Sequence, residues 1–136
     1  MITFDLQTPS REAFIDITAR VADEIDKSRV KSGICVVYVP HTTAAVTINE
    51  NADPTVRQDI LMVLRKAVPD SLPYAHSEGN STAHVKSSLV GASVMLVIEG
   101  GRPVLGTWQG IFFCEFDGPR RRHVHVKIMG LPSPAS

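Results

Sequence analysis

Residues 34–49 read ICVVYVPHTTAAVTIN and contain two strand patterns on either side of a turn. Its first six residues are continuously apolar and mostly β-branched, which predicts a central, buried strand. PHTT at residues 40–43 is a turn, and the alternating AAVTIN after it predicts the partner strand of a pair. His41 therefore stands where a buried strand ends, a place where functional side chains are often found.

The segments on either side of this pair add a strand and two helices. ITFDLQ at the start alternates as a half-buried strand does, and a helical pattern opens at Pro9 and Ser10. Its apolar stripe is formed by Phe14, Ile17, Val21 and Ile25. Another helix begins at Asp53-Pro54, because aspartate caps free amides and proline suits the first helical position. Its predicted apolar face consists of Val56, Ile60, Val63, Leu64 and Ala67.

The second half of the chain adds a short helix and several strands. The helix runs over about residues 81–90 and ends at Gly91. The strand patterns are SVMLVIE, VLGTWQGIFFCEF and RRHVHVKIM. Because these strands follow one another directly, the sequence predicts an α+β fold with a mainly antiparallel sheet packed with about three helices. The whole chain, residues 1–136, is predicted to be a single domain.

Composition excludes several classes of protein. Fourteen basic residues balance fourteen acidic ones, which argues against a nucleic-acid partner. No apolar run approaches the roughly 20 residues of a membrane span, and the start has no signal-peptide pattern. Cys35 and Cys114 lie in apolar strand patterns, which favours buried free thiols over a disulfide. We therefore expect a cytoplasmic protein that binds neither nucleic acid nor membrane.

The stretch HSEGNSTAH, residues 76–84, carries two of the five histidines. The chain is expected to turn at Gly79, with Asn80 or Ser81 capping the following helix. Together with His41, His76 and His84 could form an all-histidine metal site with an open coordination position. The alternative is that each histidine satisfies a turn or a buried carbonyl. Side chains that could support the metal site are Glu50, Asp53, Glu78 and Gln109.

Other polar residues have structural and functional interpretations side by side. For Asp53 a helix cap is favoured over catalysis. Arg120 follows the DGP turn and is the candidate for binding an anion, because a guanidinium bonds phosphate through two N–H groups. His123 and His125 are expected on a wet strand face or a subunit contact, and Trp108 in the core or an interface.

Three blocks of the sequence are similar to a known family. PHTTAAVTINENADPTVRQDI, YAHSEGNSTAHVKSSLVG and LGTWQGIFFCEFDGPRRR resemble the YjbQ family, sometimes labelled secondary thiamine-phosphate synthases. The likeness covers about residues 10–130. It implies a compact α+β subunit, a homotrimer, and a histidine-lined site near the subunit contacts where metal and anions bind. Ser81 and Thr82 depart from the family, which often has an acidic residue there.

The resemblance assigns candidate roles to residues at the motif positions. Expected metal ligands are His41, His76 and His84. Expected substrate- or anion-binding residues are Asn49, Asn80, Asp117 and Arg120. Expected catalytic residues are Glu50, Asp53, Gln109 and Glu115.

The implied activity is a weak thiamine-phosphate synthase reaction. A pyrimidine diphosphate and a thiazole phosphate are joined, and pyrophosphate leaves. This chemistry needs a cation and hydrogen-bond donors at the leaving oxygens, so the expected ligand is a phosphorylated small molecule. The expected cofactor is a divalent metal: histidines favour zinc, while magnesium is the alternative for the synthase reaction. Two other functions remain open: a metal-dependent hydrolase of a small molecule, and a non-catalytic homotrimer that binds a metal or a small anion.

Overall fold

The computed structural model describes residues 1–132, which form eight strands and three helices. Residues 133–136 of the predicted domain lie outside the described part. In chain order the elements are β1 Ile2–Gln7, β2 Ala13–Asp16, α1 Thr18–Ser28, β3 Ser32–Tyr38, β4 Ala44–Glu50, α2 Pro54–Ala67, α3 Ser81–Val90, β5 Ser93–Glu99, β6 Arg102–Pro103, β7 Gln109–Glu115 and β8 Arg121–Gly130.

The strands form two antiparallel sheets. The larger sheet has the order β1-β8-β3-β5-β6, and the smaller has the order β2-β7-β4. Every strand pairing in the described residues is antiparallel. The predicted α+β class, the antiparallel pairing and the three helices are therefore confirmed, with two sheets in place of one.

The main core lies between the two sheets and includes one face of α1. Val37 and Val126 project from the larger sheet, Ile111 and Phe113 from the smaller one, and Val21 from α1. A second, smaller cluster covers the opposite face of the smaller sheet, where α2 and α3 pack. The smaller sheet is thus enclosed on both faces, while the outer face of the larger sheet has no covering layer among residues 1–132.

The predicted pairing of the two strands in ICVVYVPHTTAAVTIN is wrong. β3 pairs with β5 and β8, whereas β4 pairs with β7 in the other sheet. The turn between them carries the chain across the core instead of folding it back. Backbone bonds fix this crossing, because Val39 donates to Ala92 and Val46 donates to Gly91, on either side of the turn.

The predicted start of the first helix is also wrong. Residues 13–16 form β2, which pairs with β7, and α1 begins only at Thr18. Asp16 accepts hydrogen bonds from the backbone and hydroxyl of Thr18 at 2.9 and 2.6 Å. This local bond stabilises the turn into α1. Phe14 therefore lies on a strand and packs in the smaller core, while Val21 and Ile25 are the buried residues of α1.

α2 begins where predicted, but most of its apolar face is not buried. Asp53 caps the helix by accepting from the Thr55 amide at 2.9 Å. Leu64 packs against the smaller core, whereas Val63 is 58% exposed. No residue of α2 is fully buried. The prediction of a buried apolar face is therefore correct only for one edge of the helix.

The chain shows no helix long and apolar enough to cross a membrane in residues 1–132. Cys35 and Cys114 are free and buried, as predicted. Burial disfavours the thiolate and raises the pKa of Cys35 to about 11. Both thiols are consequently unreactive packing residues.

Candidate functional site

A pocket of about 320 Å³ opens where three loops meet at the start of α3. The turn before β4, the loop before α3 and the turn between β7 and β8 each provide one part of its wall. Gly79, at a φ of 78°, allows the loop to turn sharply into α3. The lining residues are Thr42, Thr43, His76, Glu78, Asn80, His84, Asp117 and Arg120.

Two of the predicted metal ligands lie side by side in this pocket. The rings of His76 and His84 are 5.4 Å apart between centroids and almost perpendicular. His76 lies on the loop and His84 in the first turn of α3, as their spacing predicted. Nε2 of His76 is 3.8 Å from Oε2 of Glu78. The pocket therefore offers two imidazoles with carboxylates nearby.

Asp117 links two of the other residues predicted to bind substrate or an anion, Asn80 and Arg120. Its Oδ2 accepts from Nδ2 of Asn80 and from the guanidinium of Arg120, both at 2.9 Å. Nε of Arg120 also donates to the Asp117 backbone carbonyl at 2.9 Å. Oδ1 of Asn80 is buried and has no donor within the described chain. The predicted side-chain cap of α3 by Asn80 is wrong, because this amide bonds to Asp117 instead.

His41, the third predicted ligand, takes part in a different contact. Its Nε2 accepts a hydrogen bond of 2.9 Å from the backbone N–H of His123. A neutral imidazole has one lone pair and one N–H, so the proton must then lie on Nδ1. Burial, with the nearby charges of Arg122 and His123, lowers the pKa of His41 and keeps it neutral. In this arrangement His41 offers a donor and no free lone pair.

The described chain alone does not assemble the three-histidine centre. Within residues 1–132 no group of three or more His, Cys, Asp or Glu side chains is arranged to hold a metal ion. His76 and His84 could supply two ligands, and any others would come from water, a ligand or another subunit. The metal site stays a prediction.

A second group of predicted residues lies at the far end of the smaller sheet. Glu50 pairs with Gln109 in the strand register, whereas Ala44 pairs with Glu115 beside the pocket. The two ends are six residue steps apart along the strand, a distance of about 20 Å. Three side chains of this set have local partners: Asn49 accepts from the Glu50 amide, Gln109 from the Gly106 amide and Asp53 from the Thr55 amide. The pocket is therefore not reached within this chain by Asn49, Glu50, Asp53 or Gln109.

Glu115, also predicted to be catalytic, is fully buried beneath the pocket. Both of its oxygens bond to Arg122, and one accepts the hydroxyl of Thr8 at 2.8 Å. The carboxylate does not line the pocket. It holds other residues in place.

Sequence reasoning missed Arg122, Thr8 and Thr43. The signal for Arg122 was present, since it shares its strand face with the apolar Val124 and Val126. A charged residue on a core-facing position requires a buried partner. Thr8 and Thr43 carry no comparable signal in the sequence.

Fold and pocket together define a two-sheet α+β domain with a pocket lined by histidine, arginine and aspartate. The chain belongs to the YjbQ family, since the family model described as UPF0047 protein YjbQ-like matches residues 2–131. The resemblance found in the sequence is confirmed.

Several relatives and solved structures are similar over nearly the full chain. The UPF0047 protein of Methanocaldococcus jannaschii is 55% identical, covering 96% of this chain and 94% of that protein. The UPF0047 protein YugU of Bacillus subtilis is 49% identical, covering 94% and 98%. A crystal structure of a YjbQ/UPF0047 protein from Clostridium acetobutylicum superimposes with a TM-score of 0.93 at 54% identity, covering 95% of this chain and all 100% of that one. A YbjQ-like protein of Sulfolobus solfataricus, described as of unknown function, superimposes with a TM-score of 0.91 at 34% identity, covering 96% of each chain.

Proposed function

We propose that the pocket at the start of α3 binds the phosphate of a small phosphorylated molecule. The observation that supports this most is that Arg120, His76 and His84 line the same pocket as Asn80, the residue that immediately precedes α3. The leading amides of a helix have no partner within the helix, and its dipole favours an anion there.

Arg120 can reach a ligand without losing its present contacts. Its side chain is 49% exposed, and two of its N–H groups bond to Asp117. A guanidinium has five N–H donors, so three remain for a ligand. Asp117 repels an anion, but it also orients Arg120 and so fixes the direction of the remaining donors.

The reaction proposed for this site is a weak thiamine-phosphate synthase activity. The thiazole nitrogen attacks the methylene carbon of the pyrimidine diphosphate, a carbon–nitrogen bond forms, and the carbon–oxygen bond breaks to release pyrophosphate. Negative charge develops on the leaving oxygens. Arg120 and the α3 amides would stabilise that charge, as preorganised donors do in other enzymes.

A divalent metal is proposed at His76 and His84. Imidazoles favour zinc, and magnesium is the alternative for the synthase reaction. When bound, the ion would act as a Lewis acid on a phosphate oxygen. The donor set of two histidines fits such an ion in part, since other ligands are needed to complete the coordination.

Zinc content of the purified protein should fall in His84→Ala and stay unchanged in His125→Ala. Equal zinc content in both variants would exclude the site.

A homotrimer is proposed on the basis of exposed apolar surface. The apolar stretch of β7 does not provide this surface, because Ile111, Phe112 and Phe113 are fully buried within the chain. Apolar side chains are exposed instead on the outer face of the larger sheet, as with Met95 at 65% and Val97 at 52%. Such a face is typical of a surface that is covered by another chain.

Light scattering at micromolar concentration should give the mass of three subunits, and the mass of a monomer would contradict the proposal.

The trimer also gives a role to the residues at the far end of the smaller sheet. In a ring of three subunits each interface joins two different surfaces. Glu50 and Gln109 of one subunit could then complete the pocket of its neighbour.

Mixing Glu50→Gln subunits with Arg120→Ala subunits should restore an activity that neither variant has alone. Mixed trimers without activity would leave these residues outside the site.

Two other functions are separated from this one by simple assays. A metal-dependent hydrolase would turn over generic phosphoesters or amides and lose that turnover with a chelator. A non-catalytic trimer would bind a metal or a small anion. It would neither join the pyrimidine diphosphate to the thiazole phosphate nor hydrolyse esters. The favoured function requires formation of thiamine phosphate from its two precursors.

Replacing Arg120 with Ala should weaken binding of inorganic pyrophosphate by about 10- to 100-fold, because a hydrogen bond to a charged group contributes about 1.5–3 kcal/mol. Isothermal titration calorimetry measures the change. Arg121→Ala is the matched control, since Arg121 is the next residue, is exposed and pairs with Asp5 away from the pocket. Equal loss in both variants would mean that only general positive charge matters.

A further inference from the structure

A buried ion pair lies beneath the pocket and takes no part in the proposed function described so far. Glu115 at the end of β7 is 0% exposed, and Arg122 at the start of β8 is 2% exposed. Nε of Arg122 donates to Oε1 of Glu115 at 2.8 Å, and its Nη2 donates to Oε2. Two charges are rarely buried unless every polar atom is bonded.

Glu115 holds both ends of the turn that carries Asp117 and Arg120. Its Oε2 accepts the amides of Phe116 and Asp117 at 3.1 and 3.0 Å. Its Oε1 accepts the hydroxyl of Thr8, and the same hydroxyl oxygen accepts the Arg120 amide at 2.9 Å. The Thr8 amide in turn donates to the Arg120 carbonyl at 2.9 Å. The backbone of this turn is therefore bonded, directly or through Thr8, to one carboxylate.

Arg122 bonds to another part of the pocket wall. Its Nη2 donates to the carbonyl and hydroxyl oxygens of Thr43 at 3.2 and 2.9 Å. Thr43 lines the pocket in the turn before β4. The pair thus connects two loops that are far apart in sequence and both line the pocket.

We propose that Glu115 and Arg122 are positioning residues that set the distance between Thr43 and the Asp117–Arg120 turn. This inference rests on the proposed phosphate-binding function. Binding groups must be held within a fraction of an ångström of their working geometry, and buried bonds to neighbouring residues achieve this. The residues neither touch the ligand nor need to exchange protons.

Glu115→Gln is the test variant, because glutamine has nearly the same shape. It replaces one carboxylate oxygen by an NH₂ group, which is a donor. At the Oε1 position this group would face Nε of Arg122, and at the Oε2 position it would face Nη2 of Arg122 and the two amides of the turn. One set of bonds must therefore be lost. We expect affinity for inorganic pyrophosphate to fall about 10- to 100-fold, the range seen when residues that orient a site's ligands are replaced.

A control variant separates positioning from simple loss of stability. Ile98 is fully buried on β5, at the end of that strand away from α3. Ile98→Ala should destabilise the fold and leave pyrophosphate affinity within twofold of the wild type, when both are measured well below their unfolding temperatures. If pyrophosphate affinity falls in step with stability in both Glu115→Gln and Ile98→Ala, the inference is overturned.

The outcomes for the two proposals differ. Suppose that the wild type binds pyrophosphate, that Arg120→Ala does not, and that Glu115→Gln still does. The positioning role is then wrong, while the phosphate site stands. If the wild type does not bind pyrophosphate, the phosphate site is wrong. A crystal structure of Glu115→Gln then decides the rest: the inference requires a shift of the Asp117–Arg120 turn relative to Thr43, and unmoved loops would overturn it.

Discussion

An Arg122→Ala variant is expected to lose about 3–5 kcal/mol of its free energy of unfolding, because the change leaves the buried Glu115 carboxylate without its counter-ion. The two bonds to Thr43 disappear at the same time. Urea unfolding followed by circular dichroism measures the loss. Arg121→Ala removes a neighbouring arginine whose side chain is 70% exposed, and it should cost less than about 1 kcal/mol. Similar losses in the two variants would contradict the structural role of the buried pair.

The loss in Arg122→Ala should depend on pH in a definite direction. Burial opposes ionisation of Glu115, but its hydrogen bonds, led by that from Arg122, hold the pKa of this carboxyl below its ordinary value. In the wild type the carboxyl therefore stabilises the fold above its ordinary pKa, and that contribution is lost as pH falls. Without Arg122, burial should raise the pKa of Glu115. The difference between wild type and variant should consequently shrink between pH 7 and about 4.3; a constant difference would count against this assignment.

Gly33→Ala is expected to cost about 3 kcal/mol, since β3 and β8 approach too closely there for a side chain. A Cβ at this position would lie 2.0 Å from the backbone carbonyl oxygen of Met129. Backbone on a paired strand cannot move aside without breaking ladder bonds. Thermal and urea unfolding should both report the loss.

The matched control is the residue opposite in the same ladder. Gly130 pairs with Gly33 in the strand register. A Cβ on Gly130 would meet only the methyl groups of Val30, at 3.5 and 3.6 Å, which is ordinary contact. Gly130→Ala should therefore cost less than about 1 kcal/mol. If both substitutions cost the same, the close approach at Gly33 is not as described.

Local sequence signals predicted the helices well where a residue such as glycine, asparagine or proline marks a helix end. α3 begins and ends as predicted, because Gly79-Asn80 and Gly91 stand at its two ends. α2 begins at Asp53-Pro54 for a similar reason. Strand pairing was not predictable in the same way. The alternation in AAVTIN indicates a strand, but nothing local indicates that its partner is β7 and not β3.

The site could be predicted only where its residues are close in sequence or in one turn. His76 and His84 flank a single loop-to-helix turn, and they meet in one pocket with Arg120. Sequence order does not say which end of a strand a residue occupies relative to the pocket, so Glu50 and Gln109 were grouped with residues about 20 Å away. The tautomer of His41 depends on a backbone N–H that is 82 residues distant, which no local pattern could indicate.

The most direct test of the phosphate site is a crystal structure of the wild-type protein with pyrophosphate, paired with the same experiment on Arg120→Ala. We predict pyrophosphate in the pocket between Thr42 and Arg120, with its oxygens bonded to the Arg120 guanidinium and to the leading amides of α3, and no pyrophosphate in the variant. Pyrophosphate bound elsewhere on the molecule, or equally well in Arg120→Ala, would contradict the proposed function.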